Sequence, residues 1–359
     1  MAGSALDGLG LTPAFAAAFA PLEAEGLALG RVVAAHTPRL LRVGMADAER
    51  LAEVAGSLRH NAASALDLPT VGDWVGVRLR DEAHRPLIQA VLERRTAFVR
   101  RAAGDRTVAQ VLAANVDTVF LVVGLDNDYN LRRIERTLVL AWESGASPVV
   151  VLNQADLAGA ELDERRAEVE RVAAGVPVRT LAAKRGEGLE ALAPWLVAGR
   201  TVALLGSSGV GKSTIVNRLL GREKQRTQEV READQRGRHT TTHRELVALP
   251  GGALLLDTPG LREIQLWSEG AGLDAAFDDV LSLGAGCRFR DCAHRGEPGC
   301  AVQAAVDGGR LGADRLESYL KLQGELRSME VREDPLLRRE ERSRWKAIHK
   351  SMRHDAKRG

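Results

Sequence analysis

The segment Gly206-Ser207-Ser208-Gly209-Val210-Gly211-Lys212-Ser213 follows an apolar run, Thr201 to Leu205. It precedes Thr214 and the helically spaced Ile215, Val216, Leu219 and Leu220. Glycines at this spacing let backbone N–H groups wrap phosphate oxygens, and the N-terminus of the next helix favours negative charge. Lys212 is then placed for the β- and γ-phosphates of a nucleoside triphosphate, and the Ser213 hydroxyl for Mg2+. The competing reading is an unliganded glycine-rich turn; a strand before it and a helix after it argue against that.

Two further segments belong to the same chemistry. Asp257-Thr258-Pro259-Gly260 ends an apolar run, where Asp257 can hold Mg2+ through water and Gly260 leaves a bare backbone N–H for the γ-phosphate. Asn153-Gln154-Ala155-Asp156 ends another. A carboxylate at 156 accepts from guanine N1–H and from the 2-amino group, neither of which adenine offers. Asn-x-x-Asp is a common tetrapeptide, so its weight comes from its place at a strand end. Gln154 stands where GTPases usually carry a lysine whose stem packs along the base. Ala182-Ala183-Lys184 resembles the Ser-Ala-Lys segment that supports the base, with Ala182 in place of serine. The nucleotide set is thus Asn153 to Asp156, Ala183, Lys184 and Gly206 to Thr214.

The order of these segments is unusual, since the base-reading one comes before the phosphate loop. In ordinary GTPases the phosphate loop comes first, so the order predicts a circularly permuted G domain. Many GTPases place a glutamine directly after the Asp-x-x-Gly to orient the attacking water, and here that residue is Leu261. Intrinsic hydrolysis is therefore expected to be slow. The polar stretch Arg222 to His239, expected to be mobile without nucleotide, leads into Thr240-Thr241-Thr242-His243. Thr241 or Thr242 can close on Mg2+ and the γ-phosphate. His239 is the candidate to position the water, against the alternatives of packing or a partner contact.

All three cysteines lie in Cys287-x4-Cys292-x-His294-x5-Cys300. Three thiolates and an imidazole complete a tetrahedral Zn2+ shell with no open position, so the metal is structural. The odd count argues against disulfides.

The elements that must carry these groups follow from periodicity. Thr118 to Val123, Pro148 to Leu152, Val178 to Leu181, Thr201 to Leu205, Leu246 to Leu249 and Ala253 to Leu256 read as six strands of an α/β domain. Leu131, Ile134, Leu138 and Trp142 mark one helix, and about Leu162 to Ala173 another. Upstream, Arg31 to Val33, Leu40 to Val43, Val71 to Val77 and Pro86 to Leu92 read as a small antiparallel barrel, with Arg94, Arg95, Arg100, Arg101 and Arg106 at its exit. Such a barrel serves either as an RNA platform or as a plain structural module. Helices at about Ala313 to Met329 and Pro335 to His354 follow the cysteine loop. At 359 residues, 45% apolar and 27% charged, the chain is a multi-domain soluble protein. No apolar run approaches the ~20 residues of a membrane span, and the alanine-rich start lacks a basic leader, which places the protein in the cytoplasm. Net charge is +2, yet residues 338–359 hold nine Lys/Arg against three carboxylates, a tail suited to a polyanion or a solvated terminus.

The permuted order, Gly-Arg-His-Thr-Thr-Thr at 237–242, Asp-Thr-Pro-Gly at 257–260, and Cys-Arg-Phe-Arg-Asp-Cys-Ala-His at 287–294 with Glu-Pro-Gly-Cys at 297–300 resemble the RsgA family. These are bacterial small ribosomal subunit biogenesis GTPases, circularly permuted members of the TRAFAC class. The resemblance, from about Gly30 to about Leu320, includes Val71-Gly72-Asp73-Trp74-Val75 and Asn115-Val116-Asp117. It implies an OB-fold domain at 30–104 after an extension at 1–29, a permuted GTPase domain at 105–268 and a zinc-binding domain with a basic helical tail at 269–359. It also implies a monomeric cytoplasmic GTPase that binds the 30S subunit and 16S rRNA late in maturation and hydrolyses GTP faster when bound. Gln154 and Ala182 depart from the family pattern. Two other readings stand beside this one: a nucleotide-gated RNA-binding module with negligible hydrolysis, prompted by Leu261, and a P-loop ATPase with relaxed base selection, prompted by Gln154.

Overall fold

A computed structural model describes residues 5–81, 83–101, 109–126, 129–221, 244–257 and 271–333, together with 337 and 339. The chain divides into two compact units, residues 1–265 and 266–359.

The first unit begins with two short helices, α1 (Ala5–Gly8) and α2 (Pro13–Ala24). Thr12 starts α2, its hydroxyl accepting from the Phe15 N–H, and Pro13 takes the first turn where a missing N–H costs nothing. Phe15 and Phe19, one turn apart, bury against Leu27, Trp74 and Leu92. The extension left without a role by its sequence is therefore a cap on the barrel core.

Five strands form the barrel: β1 (Ala28–Thr37), β2 (Leu40–Met45), β3 (Glu49–Val54), β4 (Trp74–Arg78) and β5 (Leu87–Val91). Pairing runs β1-β2-β3-β5-β4 and closes through β4 back to β1, with only β3–β5 parallel. Four of the strands match the expected apolar runs. β3, with Glu49, Arg50 and Glu53, offered no such run, and pairing with β2 and β5 defines it. Helix α3 (Gly56–Asn61) links β3 to the turn before β4.

A two-stranded ladder, β6 (Ala97–Arg101) with β7 (Ala109–Ala114), then leads to six strands. These are β8 (Thr118–Gly124), β9 (Ser147–Asn153), β10 (Val178–Thr180), β11 (Thr201–Leu205), β12 (Arg244–Ala248) and β13 (Leu254–Asp257), in the order β10-β9-β8-β11-β13-β12. All pairs are parallel except β12–β13. Phe120, Val122, Val149, Val151, Val202 and Leu255 fill the core, as runs covered on both faces should. Helices α4 (Leu131–Glu143), α5 (Ala155–Ala158), α6 (Leu162–Val172) and α7 (Lys212–Leu219) connect them. In α4, Ile134 and Leu138 are buried as the periodicity predicted, but Trp142 is 37% exposed. Gly145, at φ +79°, turns the chain after α4 where a side chain would be strained.

Two features splice barrel and α/β region into one body. β12 pairs with β1 through Ala34↔Glu245 and Ala35↔Arg244, making a continuous 11-stranded sheet. Arg31, fully buried, donates from Nε to Gly72 O (3.1 Å), from Nη1 to Leu9 O (2.6 Å) and from Nη2 to Asn115 O (3.0 Å). Burial pulls its pKa down to about 10, against the opposing pull of Asp117 and Asp73. Two of the exit arginines pair with carboxylates. Arg94 grips buried Asp73 with two bonds of 2.8 Å, and Arg95 pairs with Asp117 at 2.6 Å and stacks on Phe15. Burial pushes the Asp73 carboxyl up while Arg94 opposes it. Arg94 is thus largely buried, whereas the Arg95 side chain stays 41% exposed; Arg106 lies outside the described residues.

The second unit is helical: α8 (Ala271–Ala276), α9 (Asp278–Gly284), α10 (Ala301–Asp307) and α11 (Ala313–Glu333). Phe277, Val280, Val302, Leu316 and Tyr319 are buried, and Arg315 crosses over the Phe277 ring at 4.0 Å to reach Asp279. The helix expected at 335–354 lies outside the described residues.

Candidate functional site

The loops expected to meet a nucleotide leave the carboxyl ends of β9, β11 and β13, the edge where open α/β sheets bind ligands. Between β11 and α7, Gly206 has φ +148°, and a Cβ there would lie 2.2 Å from Val122 O. Gly211, at φ +94°, begins α7, and its Cβ would lie 2.2 Å from Asn153 Nδ2. Glycine is therefore required at both positions by close approach as well as by backbone conformation. Ser207 to Gly209 arch outward between them, with Ser208 and Gly209 exposed, and Ser213 and Thr214 sit in the first turn of α7.

Lys212 is 8% exposed and folds back over its own loop, donating from Nζ to Gly206 O (2.6 Å) and to Ser207 O. These carbonyls stand in for acceptors that a phosphate would supply. On the other side of the loop, Arg133 of α4 donates from Nη1 to Ser207 Oγ at 2.8 Å. A cavity of about 200 Å3 opens between α4 and the loop, lined among others by Arg133, Arg136, Thr137 and Val210.

Asn153 is the hub of the site. Its side chain is 2% exposed; Nδ2 donates to Val210 O at 2.8 Å, and Oδ1 accepts from the Ala183 N–H at 3.1 Å. One amide thus joins the end of β9, the phosphate loop and the Ala182-Ala183-Lys184 turn. Arg218 of α7 ties the same turn again, from Nη2 to Lys184 O (2.9 Å) and from Nε to Ala183 O (3.3 Å). Gln154 adopts the left-handed conformation at φ +63°, and its Oε1 is buried without a donor. Asp156 follows Ala155 in the first turn of α5, mostly buried, and Arg185 Nε lies 3.2 Å from its Oδ2.

The remaining predicted residues are only partly placed. Asp257 closes β13 opposite Glu245 of β12. His239, Thr241, Thr242, Gly260 and Leu261 lie outside the described residues. Arg133, Arg185 and Arg218 were not anticipated. Each acts across tens of residues and follows no local motif, so no sequence signal pointed to them.

The cysteine cluster forms in the second unit. The ligand atoms of Cys287, Cys292, His294 and Cys300 all lie within 4.8 Å of one another. Cys287 Sγ and Cys300 Sγ are 4.0 Å apart, and lie 3.6 Å and 3.5 Å from His294 Nδ1. A tetrahedral Zn2+ at ~2.3 Å from sulfur has edges of ~3.8 Å, so the set fits one ion. Backbone N–H groups of Ala301 and Gln303 donate to Cys287 and Cys300 at 3.3 Å, as thiolates require. Glu297 accepts from the N–H groups of Ala293 and Arg295, closing the knuckle.

The profile of the RsgA GTPase family matches residues 91–267. The chain is 53% identical to the small ribosomal subunit biogenesis GTPase RsgA of Opitutus terrae, with 97% of each chain covered. It is 46% identical to the protein of that name from Streptomyces coelicolor, with 99% of this chain and 96% of the relative covered. Among solved structures, YjeQ from Thermotoga maritima superposes with a TM-score of 0.63 at 30% identity, over 84% of this chain and 98% of that one. YloQ, a circularly permuted GTPase, gives 0.60 at 22% identity, over 84% and 96%, a likeness of fold.

Proposed function

Because the chain belongs to the RsgA family of circularly permuted GTPases and is a GTP hydrolase, we propose that it binds the 30S ribosomal subunit and acts in its late maturation. On this reading it works as a cytoplasmic monomer that contacts 16S rRNA, and docking on the subunit accelerates hydrolysis. GTP-bound switches hold one docking geometry, and hydrolysis releases it.

The observation that carries the nucleotide half of the reading is Asn153, whose one amide fixes phosphate loop, base loop and base-supporting turn together. Backbone N–H groups of Gly206 to Lys212 cradle the phosphates. Lys212 leaves the carbonyls of Gly206 and Ser207 for the β- and γ-phosphates, exchanging neutral acceptors for charged ones. Ser213 and, through water, Asp257 hold Mg2+, which when bound neutralises charge on the phosphate oxygens. Asp156 reads guanine, with Asn153, Gln154, Ala155, Ala183, Lys184 and Thr214 shaping the pocket. Gly260 offers its N–H to the γ-phosphate, Thr241 or Thr242 closes over it, and His239 positions the attacking water. One structural Zn2+ held by Cys287, Cys292, His294 and Cys300 staples a loop with little apolar content.

Single-turnover GTP hydrolysis with and without purified 30S subunits tests this. Acceleration by the subunit, reduced in His239→Ala, is expected. An identical rate with and without subunits would favour a nucleotide-gated binding module instead. The buried, unpartnered amide oxygen of Gln154 favours the ATPase reading as the alternative, and ADP competing as well as GDP for the nucleotide-free protein would select it.

A further inference from the structure

A lysine between the asparagine and aspartate of the base-reading segment would bring a cation to the guanine pocket, and Gln154 brings none. Its amide oxygen is buried, and a Cβ on Gly124 would lie 2.7 Å from it, so the head group is packed against the end of β8. A cation arrives from a different element. Arg185 Nε lies 3.2 Å from Asp156 Oδ2, with the arginine side chain 60% exposed and the carboxylate 15%.

The backbone carrying Arg185 is well held. Its N–H donates to Ala182 O at 2.8 Å, Gly186 N–H donates to the same oxygen at 3.0 Å, and Ala182 bridges to Glu187. Arg218 and Asn153 brace the preceding two residues from α7 and β9. Arg185 therefore springs from the turn that supports the base, and its guanidinium reaches the group that reads the base.

We propose that Arg185 is a specificity-determining positioning residue, which fixes the Asp156 carboxylate for the guanine edge in place of the missing lysine. A carboxylate offers about four lone-pair sites, so one bond from Arg185 leaves enough for N1–H and the 2-amino group. The inference rests on Asp156 being the guanine-reading group.

Equilibrium binding of GDP, IDP and ADP to the nucleotide-free full chain separates the possibilities. IDP keeps N1–H and lacks the 2-amino group; ADP presents neither donor to Asp156. Arg185→Ala should weaken GDP about three- to fivefold, the scale of an exposed ion pair. It should weaken IDP less and leave ADP unchanged, so that the GDP:IDP and GDP:ADP preferences both narrow; Arg185→Lys should recover part of each. Equal losses for all three nucleotides would mean a structural or general electrostatic role and would overturn the inference, as would unchanged GDP binding. Asp156→Ala tests the premise separately. If it leaves the GDP:ADP preference intact, the base-reading assignment itself fails, whatever Arg185 does.

Discussion

Asn153 concentrates the dependence of the site on single atoms. Truncation to alanine strands the Ala183 N–H and the Val210 carbonyl, backbone groups of two buried residues. A buried group left without its partner costs ~1–3 kcal/mol. Asn153→Ala should therefore lower the melting temperature by several degrees and weaken GDP at least tenfold, read by calorimetry on the same sample. A loss of stability with unchanged GDP affinity would show that Asn153 serves the fold alone. The phosphate loop and the metal ligands were legible because local spacing carries them: eight consecutive residues make the loop, and zinc takes its ligands from one short segment. Arg133, Arg185 and Arg218 were illegible, since each meets its partner through the fold of the sheet and not through neighbours in sequence. Gln154 was legible as a departure from pattern, but its burial against Gly124 was not.

Among the elements, the cysteine knuckle stands out because so little else holds it. Residues 285–299 contain no regular helix, and Phe289 is 43% exposed, so the loop offers little hydrophobic burial to offset its ordering. Removing the metal with a chelator should unfold the knuckle and fray α9 and α10, seen as a loss of helical circular dichroism. GDP affinity should stay within a factor of about two, because the nucleotide loops fold on the separate core of the first unit. A parallel loss of GDP binding would contradict this. Helix α4 and the parallel strands were readable from their periodicity. Strand β3 was not, because its charged residues belong to a surface that neighbouring strands define. The opening helices were missed despite Thr12-Pro13 and the Phe15/Phe19 spacing, a start signal and an apolar stripe that alanine-rich surroundings obscured.

At the scale of the molecule, barrel and GTPase region are one mechanical body. β1 pairs with β4 through residues 28–31, and where β4 runs out β12 takes over at Ala34 and Ala35. A barrel fragment of residues 30–104 lacks β12, the α1–α2 cap and Asn115, so Ala34 and Ala35 become an open edge and Arg31 loses two of its acceptors. That fragment should self-associate in sedimentation, whereas residues 1–265 should remain monomeric; a monodisperse barrel fragment would refute the claim.

The same splice has a consequence in time. β1 leaves the ribosome more than two hundred residues before β12 is made. At ~5–20 residues per second, its open edge waits on the order of 10–40 s for Arg244–Ala248. During that interval the edge of β1 at Ala34 and Ala35 is open to other strands, and only translation through Arg244–Ala248 covers it. The last strand to cover the barrel's edge is thus the GTPase strand beside Asp257.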